Sequence, residues 1–155
     1  MWEAITTSIT GAFVWELIRS SLGQIFKHLQ AKSNFRRAAL RAQLKDIERQ
    51  LEPLVQLAME YYGGPSHAGA SKFRSIKLSL AALELAVESV NVKLEKAKMK
   101  EVGLSHLISF RQNLTIEAQF PRGKPLDVSD PILKNIMAST QRLRDDLYDR
   151  SDDLA

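Results

Sequence analysis

The chain has 155 residues, no cysteine and a formal net charge of +4. That length suits one domain with a true core, and the missing cysteine excludes disulfides, thiol nucleophiles and cysteine-bound zinc. The charge is uneven: residues 1–45 hold seven Lys/Arg against two acids, whereas the other 110 residues hold fifteen against sixteen. An excess confined to one end points to an anionic partner for that end.

Residues 2–29 predict a helix that is apolar around most of its circumference, with rows running through Ile5, Ile9, Phe13, Val14, Ile18, Leu22, Ile25 and Leu29. Such a helix belongs in a core, an oligomer or a bilayer. Ala4, Ser8 and Ala12 are small residues spaced by four, which allows close helix approach. Trp2 and Trp15 have the amphipathic rings that favour a bilayer interface. Spanning is excluded by length and charge. The longest charge-free run, from Ala4 to Trp15, is twelve residues where a span needs about 20. Glu16 and Arg19 would each cost about 2.5–3.5 kcal/mol at a bilayer centre. The same helix serves equally as a central or capping element of a bundle. Glu3 is the first charge, so the start lacks the positive region of a secretory signal. Trp2 stands where a myristoylation motif needs glycine. A cytoplasmic protein is expected, at most peripheral on the inner face of a membrane.

From Lys27 to Lys45 come six basic residues, Lys27, Lys32, Arg36, Arg37, Arg41 and Lys45, with His28 and no acid. A solvated helix face normally mixes signs, as residues 84–101 do. If a new helix begins at Ser33-Asn34, then Arg36 and Arg37 oppose its dipole in the first turn. Either the first helix runs on unbroken, or an external anion offsets that cost. Near an anionic leaflet each cation contributes about 1 kcal/mol. Nucleic acid is the competing anion, but the segment lacks helix-turn-helix spacing, a zinc pattern or interleaved aromatics. The acidic C-terminal stretch could also fold onto it.

Two matched stripes follow. Leu40, Leu44, Ile47, Leu51, Leu54, Ala58 and Tyr61 mark one helix, and Phe73, Ile76, Leu80, Leu83, Val87, Val90, Leu94 and Ala97 another. The breaker cluster GGPSHAGAS between them makes a helical hairpin. Pro53 should kink the first helix. Leu78, Leu85, Val92 and Met99 give the second helix another apolar stripe, which implies burial on two sides. Gly103 is its expected stop. A short helix follows on Leu104, Leu107, Ile108 and Leu114, then the loop QFPRGKPLDVSDP. Asp130 before Pro131 reads as an N-cap. The last helix runs on Leu133, Ile136, Thr140, Leu143 and Leu147, and RDDLYDRSDDLA should fray as an acidic tail. The fold class is all-α, a four- or five-helix up-and-down bundle with a long central hairpin. It forms a single domain over residues 1–150, divided as 1–32, 36–103 and 104–150, with 151–155 as the tail.

Catalytic signals are thin. His28, His67 and His106 fall on different elements, and no Glu-x-x-His pair, HExxH, Walker A, GxGxxG or GxSxG occurs. A non-enzymatic protein is expected, with no cofactor, no metal and no small-molecule substrate.

The stretch MWEAITTSITGAFVWELI followed by ALRAQLKDIERQLEPLVQLA, with its proline ahead of an apolar pair, resembles the HeLo and RPW8-like membrane-permeabilising bundles of cell-death proteins. The likeness extends over about residues 1–100. It implies a helical bundle whose first segment inserts into membranes. Together these features lead to the expectation that the N-terminal segment mediates membrane-surface association or self-assembly. Trp2, Ile5, Ile9, Phe13 and Trp15 would supply apolar contact, and the six basic residues anion attraction. The alternative is a soluble helical adaptor that binds a protein partner.

Overall fold

The computed structural model describes residues 3–64, 69–116, 126–127 and 129–155, with side chains from 22 onward apart from 23 and 69–70. Among the described residues it is all-helical: α1 (Glu3–Gly63), α2 (Gly69–Lys96), α3 (Leu104–Leu114) and α4 (Pro131–Asp152). The chain forms two compact units, Met1–Ala38 and Ala39–Ala155. Within the first, α1 is the described element.

No new helix begins at Ser33-Asn34; α1 continues through it. The pair carries neither Gly nor Pro, and Ala, Leu, Gln, Lys and Arg around it are strong helix formers. Arg36 and Arg37 therefore sit mid-helix, and the dipole penalty expected of a first turn does not arise. Helix α1 also continues on both sides of Pro53. The ring stands on the exposed face, where water can serve the Arg49 carbonyl deprived of its N–H partner.

In the second unit, one stripe of each helix meets in a single core. Leu44, Ile47, Leu51, Ile76, Leu83, Val87, Leu94, Phe110, Leu114, Ile136, Leu143 and Leu147 are each at most 2% exposed. Each such side chain contributes roughly 1.5–3 kcal/mol by leaving water. The expected stripes of α1, α2 and α4 are buried, with two slips at helix ends. Tyr62, not Tyr61, closes the α1 stripe, and Ala97 is exposed. Tyr62 donates its hydroxyl to the Leu114 carbonyl at 2.8 Å, while Tyr61 packs edge-on against it.

Three expectations are corrected here. The second stripe of α2 faces solvent: Leu78 is 66% exposed, Leu85 67% and Val92 44%, and only Met99 reaches the core. On α3 the inward residues are Leu107, Phe110 and Leu114, whereas Leu104 and Ile108 are exposed. Phe110 falls three residues from Leu107 and four from Leu114, so these three share a face that Leu104 and Ile108 flank. The C-terminal stretch is not frayed: α4 runs to Asp152, and Leu154 is buried. Arg150, itself buried, binds Asp146 at 3.4 Å and Asp153 at 2.8 Å, which offsets the acid count that suggested disorder.

Helix α2 also ends earlier than Gly103. Lys98 takes φ 57°, its N–H bonds the Glu95 carbonyl at 2.8 Å, and the Met99 N–H bonds that of Leu94 at 2.9 Å. This is a Schellman stop with lysine in the left-handed position that glycine usually fills. Gly103 instead starts α3, where its N–H donates to Asp146 Oδ2 at 2.5 Å. A Cβ there would meet that oxygen at 3.1 Å. Buried Asn91 clamps the same connection, donating to the Val102 carbonyl at 3.1 Å and accepting from its N–H at 2.8 Å. The expected N-cap at Asp130 is present, its carboxylate accepting from Ile132 N at 2.8 Å.

Candidate functional site on the first helix

The residues expected to act fall into three groups. Trp2 lies outside the described residues; Ile5, Ile9, Phe13 and Trp15 occupy helical backbone of α1, with side chains outside the described set. Lys27, Lys32, Arg36 and Arg37 are exposed in the first unit. Arg41 and Lys45 belong to the second, where Arg41 is half-buried with Nε lacking a hydrogen-bond partner. Lys45 lines a shallow groove with Glu48, Arg49, Glu52 and Arg144. Signs are mixed in that groove, and Arg144 binds Glu52 at 2.9 Å. Among the described residues, Lys27, Lys32, Arg36 and Arg37 thus keep an acid-free stretch of helix.

Among the described residues none of these four joins an ion pair. On a helix of 3.6 residues per turn they ring the axis instead of sharing one face. Around Lys27, Leu22 is 60% exposed, Ile25 56%, Phe26 71% and Leu29 59%. The spacing i, i+3, i+4, i+7 sets these four on one apolar stripe. Lys32 and Arg36 continue it at the next three-four steps, so the stripe turns from apolar to cationic along one side of the helix. Phe35 is 77% exposed on another side. The membership of Phe26 was missed in the sequence, although it lies four after Leu22 and three before Leu29, the spacing that puts it on the same side of a helix.

Chemically, the arrangement can offer apolar area and exposed cations. Among the described residues no helix is long and apolar enough to cross a membrane, and no group of His, Asp and Glu is arranged to hold a metal ion. The densest titratable cluster lies elsewhere, at Asp146, Arg150, Asp153 and His106. His106 Nδ1 stands 3.6 Å from Asp146 Oδ2, beyond hydrogen-bond length, and Asp146 is occupied by Gly103 and Arg150. This cluster ties the α2–α3 connection to α4. Compared with known protein families, curated proteins and solved structures, the chain gives no significant match to any.

Proposed function

We propose that this is a non-enzymatic helical-bundle protein whose first unit mediates association with an anionic membrane surface or self-assembly. One observation carries the reading: four large apolar side chains, Leu22, Ile25, Phe26 and Leu29, are all more than half exposed on one stripe. A chain that leaves such a stripe open needs something to cover it. The neighbouring Lys27, Lys32, Arg36 and Arg37 favour an anionic cover, at about 1 kcal/mol each near an acidic leaflet. The stripe is interfacial, since its cationic continuation suits headgroups and not hydrocarbon. The resemblance to membrane-permeabilising bundles supports vesicle leakage as a further effect to assay. A cytoplasmic chain, peripheral on a membrane's inner face, fits this reading.

Co-sedimentation of the full chain with neutral and anionic vesicles across a salt series tests it. Binding to anionic vesicles that weakens as salt rises is expected, and Leu22→Asp with Ile25→Asp should abolish it. Deletion of residues 1–26 should do the same while leaving cooperative melting, because the described core begins at Leu40. No binding to anionic vesicles at low salt overturns the membrane reading. An unfolded deletion variant overturns the view that the segment is an interface and not a core element. Capture of a defined protein by the same stripe would favour the adaptor alternative.

A further inference from the structure

The outward face of α2 repeats with a regularity that solvent does not require. Ser75, Leu78, Ala82, Leu85, Ser89 and Val92 follow one another at strict three-four spacing, and all six are exposed. Diametrically opposite runs the seam that α2 gives to its own core. A helix needs one such seam to join its bundle; a second, over about two and a half heptads, is the pattern by which helices pair with other helices. Ala82 and Ser89 alternate with Leu78, Leu85 and Val92, so in a parallel pair of identical helices layers of large residues would alternate with layers of small ones.

The charges beside the seam indicate the occupant. With Leu78, Leu85 and Val92 at d positions, Glu88 is a g residue and Lys93 the e residue five further on. In a parallel pair of identical helices each g residue meets the e residue of the following heptad on the partner. Glu88 therefore meets Lys93 of a second copy, and the two-fold axis makes that contact twice. The other flanking pairs in this register, Ala81 with Ala86 and Arg74 with Ser79, contain no like charges. The antiparallel register that stacks Ala82 on Leu85 would set Lys72, which also binds Glu60 at 3.1 Å, against Lys93 twice and Arg74 against Glu95 twice, so its flanking charges carry no net attraction. Glu88 has no ion pair among the described residues, and Lys93 donates only to the neutral Gln43 at 2.9 Å. Lys96, next along the seam, ends it with a charge.

We propose that a second copy of this chain docks on the outward face of α2, forming a parallel two-fold dimer along Leu78, Leu85 and Val92. The seam is built from residues 75–92, none of which belongs to the first unit, so this proposal stands or falls apart from the membrane reading. Sedimentation equilibrium of the full chain should show a concentration-dependent dimer. Leu85→Glu should make it monomeric with its melting curve, taken at dilution, unchanged, since that side chain is 67% exposed. Leu22→Asp with Ile25→Asp should leave the dimer intact. Glu88→Lys should weaken it about tenfold, with Lys93→Glu in the same chain restoring it. The absence of native cysteine allows orientation to be read directly. Ser75→Cys and Ser89→Cys, made separately, should each cross-link to its own copy under mild oxidation. Only a parallel pair allows both, because they lie fourteen residues apart. A wild type that stays monomeric throughout, a dimer that survives Leu85→Glu, loss of the dimer on changing Leu22 and Ile25, or failure of either cysteine to cross-link overturns the proposal.

Discussion

Lys98 holds the left-handed conformation at the end of α2, with φ 57°. For an L residue with a Cβ this region costs about 1–2 kcal/mol relative to the right-handed one. Glycine removes that cost but loses about 0.4–1 kcal/mol by making the unfolded chain more flexible. Comparison of Lys98→Gly with Lys98→Ala isolates the backbone effect, because both remove the same exposed charge near a helix C-terminus. The glycine variant should exceed the alanine variant by about 0.5–1 kcal/mol, or ~2–5 °C in melting temperature for a unit of this size. Urea unfolding and thermal melting followed by circular dichroism both measure it. The two capping bonds, to Glu95 and Leu94, are backbone bonds and survive in both variants. Equal stability of the two variants, or a more stable alanine variant, would refute a left-handed Lys98 and with it the Schellman stop.

Two further substitutions check other parts of the bundle. Phe110→Ala should cost about 3–5 kcal/mol, whereas Ile108→Ala should stay within about 0.5 kcal/mol; the two sit on one short helix at 0% and 53% exposure, and equal costs in urea unfolding would refute the assigned face of α3. Asn91→Ala strands both backbone groups of Val102 and should cost roughly 2–4 kcal/mol, so a loss below about 0.5 kcal/mol would show that the clamp is dispensable.

The helices that pack on a single stripe were legible from spacing, because a three-four repeat of Leu, Ile and Val leaves one face with nowhere to go but inward. Helix α2 is where that logic becomes ambiguous. Its two seams have similar composition, and periodicity reports that a seam exists without saying whether the protein's own helices cover it. Gly103 misled for a different reason: glycine is the usual terminator, but here a lysine takes the left-handed turn, and glycine is kept for the close approach of Asp146. The C-terminal stretch misled because counting aspartates ignores position. Arg150 lies four after Asp146 and three before Asp153, so one helix face neutralises what the composition leaves charged. At the candidate site, cations and apolar rows could be read directly. The continuity of α1 through Ser33-Asn34 could not, since Ser and Asn are also the residues that begin helices.

The placement of aromatic side chains has a practical consequence. Both tryptophans, Trp2 and Trp15, belong to the first unit, whereas Tyr61, Tyr62 and Tyr148 all belong to the second. Tryptophan emission from the unlabelled protein therefore originates in residues 1–38 alone. Tyrosine signals report on the bundle, with Tyr62 sealed in its core at 0% exposure. One sample thus carries two native optical signals, one that originates in the first unit and one in the second.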